Sequence, residues 1–68
     1  MYEKILENIR FYINKENISL EDLSAKTGLS ATYLSCLVKG TRKNPSLDTL
    51  DKLADAFNIN ILDLILNN

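Results

Sequence analysis

The sequence predicts an all-α domain of five short helices, and three observations carry that prediction. Apolar residues recur at i, i+3 and i+4 through most of the 68 residues. The periodic stretches are broken by short segments rich in Ser, Asn, Gly and Pro, the residues that start and stop helices. No segment alternates apolar and polar residues as a half-buried strand would. The helices are expected near residues 2–16, 20–27, 31–39, 47–57 and 61–66, all within one domain spanning residues 1–68.

In the first helix Ile5, Ile9, Tyr12 and Ile13 form an apolar stripe, and Asn17 stands where a left-handed stop is wanted. The second opens at Ser19, whose hydroxyl can cap a free backbone N–H, with Glu21 and Asp22 set against the positive end of the helix. Leu20, Leu23 and Thr27 share one face of it. Gly28 follows, where the chain must enter the left-handed region that a residue without a Cβ adopts at little cost. Leu29 is the apolar plug of this turn, and Ser30 caps a third helix. Leu34, Leu37 and Val38 fall at i, i+3 and i+4 and face inward, leaving Ala31, Thr32, Ser35, Cys36 and Lys39 outside.

The fourth helix starts behind Pro45 and Ser46 and repeats Leu47, Leu50, Leu53, Ala54 and Phe57 at helical spacing, a core stripe. The fifth, after Asn60, has Asp63 as its one charge. Leu62, Ile65 and Leu66 can pack on the fourth helix, yet so apolar a stretch also suits self-association. Across residues 19–40 the joint spacing of Leu23, Gly28, Leu34 and Leu37, with small residues at Ser24 and Ala25, is that of a helix-turn-helix whose helices cross closely.

Composition narrows the function. A chain of this length hides only about 60% of its unfolded surface, so a stabilising partner copy is plausible from size. One cysteine excludes an internal disulfide, and the absence of histidine removes the usual metal clusters and the commonest general base. The carboxylates are scattered singly, and there is no glycine-rich phosphate loop and no serine–histidine or cysteine–histidine pair. An enzyme, a metal site and a cofactor are therefore not expected. The opening residues mix acids among apolar positions unlike a secretory leader, and no apolar run approaches membrane-spanning length. A soluble cytoplasmic protein is expected, with no membrane partner.

Net charge is −1, but the charges are segregated. Residues 1–22 carry five acids and three bases, and residues 48–68 carry four acids and one base. Between Asp22 and Asp48 there are four bases, Lys26, Lys39, Arg42 and Lys43, and no acid. That concentration makes Arg42 and Lys43, after the third helix, candidates for contact with phosphates. Ser30, Asn44 and Ser46 bring free backbone N–H groups and small polar side chains to helix N-termini, which suit an anionic oxygen.

Beyond the helix-turn-helix itself, YLS at 33–35, NPS at 44–46, LDTLDKLADAF at 47–57 and ILDLI at 61–65 make nearly the whole chain resemble the xenobiotic-response-element-like regulators that include Cro and the phage repressors. The resemblance implies the five-helix lambda-repressor-like DNA-binding fold, with the third helix entering the major groove. It puts the base-reading positions on Ala31, Thr32 and Cys36, with Ser35 and Lys39 alongside and Tyr33 near the phosphate backbone. None of these is the arginine, asparagine or glutamine that gives strong bidentate discrimination; Thr32 can bond a base edge, and Thr32 and Ala31 can pack on a thymine methyl. Recognition would therefore depend on methyl contacts, duplex shape and phosphates.

The chain also departs from its relatives. Leu20 stands where many carry a glutamine that grips the backbone. Ile13 and Val38 stand where many carry an arginine and a glutamate in a partly buried ion pair. Exchanging both members for apolar residues is often neutral or stabilising, whereas losing one strands a charge at roughly 3–5 kcal/mol, so Ile13 and Val38 are expected to touch. Isoleucine also gives up the phosphate that an arginine can reach.

The resemblance further implies a two-fold dimer through Leu62, Ile65 and Leu66, bound to a palindromic operator with half-sites about 34–36 Å apart. The function expected is a sequence-specific double-stranded DNA-binding transcriptional repressor. Its control would come from protein level, a regulatory protein partner or competition for sites. The alternative is a protein-interaction module, an anti-repressor or antitoxin that forms mixed dimers and binds DNA weakly or not at all; the acidic balance and Leu20 favour it, and the basic segment opposes it.

Overall fold

Cap chemistry sets where each helix begins and ends. The computed structural model describes residues 2–41 and 44–66. Within them run α1 (Tyr2–Glu16), α2 (Leu20–Thr27), α3 (Ala31–Lys39), α4 (Leu47–Phe57) and α5 (Ile61–Ile65). The first four match the expected spans; the fifth stops one residue early, where Leu66 leaves helical geometry and becomes the C-cap.

Ser19, Ser30 and Ser46 each accept a backbone N–H from three residues on, at 3.0, 3.0 and 3.1 Å, satisfying one of the donors that a helix start leaves free. Asn60 and Asp63 cap α5 reciprocally. Left-handed residues close the first four helices: Asn17 at φ 51° and Gly28 at φ 80° as expected, joined by Gly40 at φ 84° and Asn58 at φ 60°.

The core draws on every helix. Ile5, Leu6 and Ile9 of α1 meet Leu23, Leu34, Leu37, Leu50, Leu53, Phe57 and Leu64. Two expectations about its edges are corrected. Leu47 lies on the stripe by spacing but is 70% exposed, because it occupies the first turn of α4, at the margin of the cluster. In α5 the residue that anchors the helix is Leu64, fully buried, while Leu62 and Leu66 are 52% and 67% exposed. The stripe of α1 is centred on Ile5, Leu6 and Ile9, and Tyr12 and Ile13 pack at its half-buried rim.

Polar and aromatic contacts then tie α1 to the rest. The buried Asn8 amide donates from Nδ2 to the Leu64 carbonyl at 2.8 Å, satisfying an end-of-helix acceptor on α5. Tyr12 stacks on Phe57 with centroids 5.6 Å apart, and Phe11 meets Tyr12 edge-on. Among the described residues no helix is long and apolar enough to cross a membrane.

Candidate nucleic-acid interface

The turn between α2 and α3 is built from side chains of α2. Gly28 donates its N–H to the Ser24 carbonyl at 2.8 Å. Thr27, buried, donates its hydroxyl to the Leu23 carbonyl at 2.8 Å and accepts from the Leu29 N–H at 3.1 Å. Ser24 donates to the Leu29 carbonyl, so the turn is bonded on both sides. Leu29 packs against the core as the expected plug. Ser24 is thus committed to the turn, whereas Ala25 is exposed beside Ala56 and Phe57 rather than lying in the α2–α3 crossing.

This frame presents one face of α3, a helix of nine residues and so ~13 Å long. Ala31, Thr32, Ser35, Cys36 and Lys39, the five residues expected to meet bases, all line a single open depression of about 430 Å³, with Leu20 and Glu21 of α2 as its other wall. Thr32 and Lys39 are exposed, and Ala31, Ser35 and Cys36 are half-buried. The surface therefore offers two hydroxyls, a thiol, an ammonium and a carboxylate over a small apolar floor. Among the described residues Lys39 forms no ion pair.

The residues expected at phosphates are dispersed. Ser30 is exposed at the N-terminus of α3. Tyr33 packs its half-buried ring against the core. Asn44 and Ser46 line a second depression with Ile5, Leu47 and Ile65. The Ser46 hydroxyl also donates to Thr49 Oγ1 at 3.1 Å, so capping accounts for both its bonds. Arg42 and Lys43 lie outside the described residues. Lys26, part of the basic run in the sequence, lines a different depression together with Glu16 and Asp22.

Two residues at this surface escaped sequence reasoning. Arg10 of α1 donates from Nε to the Val38 carbonyl at 2.7 Å and places a guanidinium nitrogen beside Gly40, at the C-terminal end of α3. Its signal in the sequence was a cation flanked by Ile9 and Ile13 on the apolar stripe. Val38 and Ile13 are both half-buried, and the polar link between their helices runs through Arg10. Glu21 is the second: its first-turn position was accounted for by the helix dipole, which hid its place in the wall of the depression.

The model of the Cro/C1-type HTH DNA-binding domain matches residues 8–66. Among curated proteins the chain is 37% identical over 62 residues to the HTH-type transcriptional regulator DdrOP3 of Deinococcus deserti, covering 91% of this chain and 47% of that protein. It is 38% identical over 63 residues to Control protein C.SmaI of Serratia marcescens, 93% of this chain and 74% of the other. To the HTH-type transcriptional regulator SinR of Bacillus subtilis it is 27% identical over 59 residues, 87% of this chain and 53% of that one. The chain thus spans about half the length of two of these three relatives. No solved structure matches it significantly.

Proposed function

The chain belongs to the Cro/C1-type HTH DNA-binding domain family, and we propose that it is a sequence-specific regulator of transcription that represses by laying α3 in the major groove of a palindromic operator. The observation that supports this most is the convergence of Ala31, Thr32, Ser35, Cys36 and Lys39 on one open face, braced by a turn that is hydrogen-bonded on both sides. Relatives named as HTH-type transcriptional regulators and as control proteins point the same way.

Ala31, Thr32, Ser35, Cys36 and Lys39 meet base edges. Ser30, Tyr33, Arg42, Lys43, Asn44 and Ser46 serve the flanking phosphates. Thr32 donates to or accepts from a base, Thr32 and Ala31 pack on thymine methyls, and Lys39 reaches guanine O6 or N7 or the nearest phosphate. Two copies pair through Leu62, Ile65 and Leu66, whose exposed members give α5 an apolar outer edge. The half-sites of the operator lie about 34–36 Å apart, one turn of the duplex.

Leu20 and the acid beside it favour the second reading, a module that mixes dimers with a relative and has lost the groove chemistry. Fluorescence anisotropy with genomic and random duplexes across a salt series separates the two. A regulator holds a subset of fragments above the random background, with affinity falling as the −0.9 power of salt per phosphate neutralised, roughly. Charge reversal of Arg42 and Lys43 then abolishes duplex binding. A folded protein that binds no duplex at low salt overturns the proposal.

A further inference from the structure

We propose that Glu21 is a specificity-determining residue that demands an amino donor, a cytosine N4, at one base pair of each half-site. The inference rests on the DNA-binding function proposed above. Glu21 is exposed in the first turn of α2 and lines the same depression as Thr32, Ser35, Cys36 and Lys39, from the α2 side. Its neighbour Asp22 lines a different depression, with Glu16, Lys26 and Phe57. Adjacent acids of one helix turn thus belong to different surfaces, and only one of those surfaces carries the groove-facing residues.

An ionised carboxylate is acceptor-only. Near the phosphates it is repelled by every duplex, whatever the sequence. Only a base that donates into the groove offsets that repulsion, and in the major groove the donors are cytosine N4 and adenine N6. Adenine sets its N7 acceptor beside the donor, which a carboxylate meets unfavourably, so cytosine is the base selected. The cap's hydrogen bond does not involve the acid: the Ser19 hydroxyl receives the Asp22 N–H at 3.0 Å. The α3 wall of the site supplies Lys39, of opposite charge.

The test is selection from a duplex pool with a randomised central segment, performed with the full chain and with Glu21→Gln, Glu21→Ala and Asp22→Asn, each checked for helicity by circular dichroism. The wild type is expected to select cytosine at one position per half-site, about five- to tenfold over the other bases. Glu21→Gln should move that preference to adenine, which an amide reads with a donor and an acceptor, and Glu21→Ala should erase it. Both should bind random duplex more tightly. Asp22→Asn, the same change in net charge, should leave the cytosine in place. An unchanged motif in Glu21→Gln, or the same loss in Asp22→Asn, overturns the assignment. A wild type that enriches no duplex removes the DNA-binding function itself, an outcome distinct from either.

Discussion

Arg10 Nε and the carbonyl oxygen of Val38 lie 2.7 Å apart and join residues 28 positions distant in the chain. The last carbonyls of a helix have no partner within it, and the end they mark is negative, so a guanidinium there satisfies an acceptor and opposes the dipole together. With Ile13 and Val38 in place of a charged pair, α3 is held to α1 through its backbone. Whatever side chain occupies position 38 can be exchanged without breaking that link.

Replacing Arg10 by Met should therefore destabilise the fold by about 1–2 kcal/mol, the range for a charge-assisted hydrogen bond that is only partly shielded from water. Urea denaturation gives the shift in midpoint. Arg10→Lys keeps the charge and loses the planar fork, so it should recover less than half of the loss. Full recovery by lysine would mean that position 10 acts by charge alone.

Gly28 at φ 80° has no atom within 4 Å of where a Cβ would stand. The penalty of Gly28→Ala is then backbone strain without a clash, about 1–2 kcal/mol. Gly28→Asn should cost less, since asparagine tolerates the left-handed region, as Asn17 and Asn58 already do in this chain. Thermal unfolding of the two variants orders them; a larger loss for asparagine would point to a steric constraint.

The last helix separates stability from assembly. Leu64→Ala should cost about 2–5 kcal/mol, as for other fully buried leucines. The double change Leu62→Ser with Leu66→Ser alters exposed positions and should leave the unfolding free energy of the single chain within about 0.5 kcal/mol. It should, however, shift the species seen by sedimentation velocity toward monomer. A wild-type chain that sediments as a monomer at all concentrations would remove the dimer from the proposed function.

Lys39 and Lys26 offer a matched pair of cations. Lys39 belongs to the face with Thr32 and Lys26 to the depression with Asp22. Lys39→Gln should reduce the slope of log affinity against log salt by about 0.9 if it meets a phosphate. Lys26→Gln should leave the slope unchanged. Equal effects would show that bulk charge governs binding.

The fold was legible where its causes are local. Ser19, Ser30, Ser46, Asn17 and Gly28 act on backbone groups within four residues, and all five do in the structure what their positions predict. Legibility failed where the cause is distant or the pattern degenerate. In the run ILDLIL nearly every residue is apolar, so no period distinguishes Leu64 from its neighbours, and contact with Asn8 and the core decides. The acceptor for Arg10 is a backbone carbonyl, invisible as a residue type. The five outward positions of α3 could be placed because helical spacing puts them together, whereas Glu21 joins them from another helix, through a crossing that the sequence implies without giving its angle.

The bond from Asn8 to the Leu64 carbonyl ties α5 to α1. Since α1 also holds the far end of α3 through Arg10, α5 and the tip of the recognition helix are both hydrogen-bonded to the same helix. A pair of copies meeting at α5 would act as a calliper of set gauge. Adding one base pair between half-sites moves the second by about 3.4 Å along the duplex axis and also turns it about that axis. A rigid calliper cannot follow both displacements, so spacing would be read as strictly as any base.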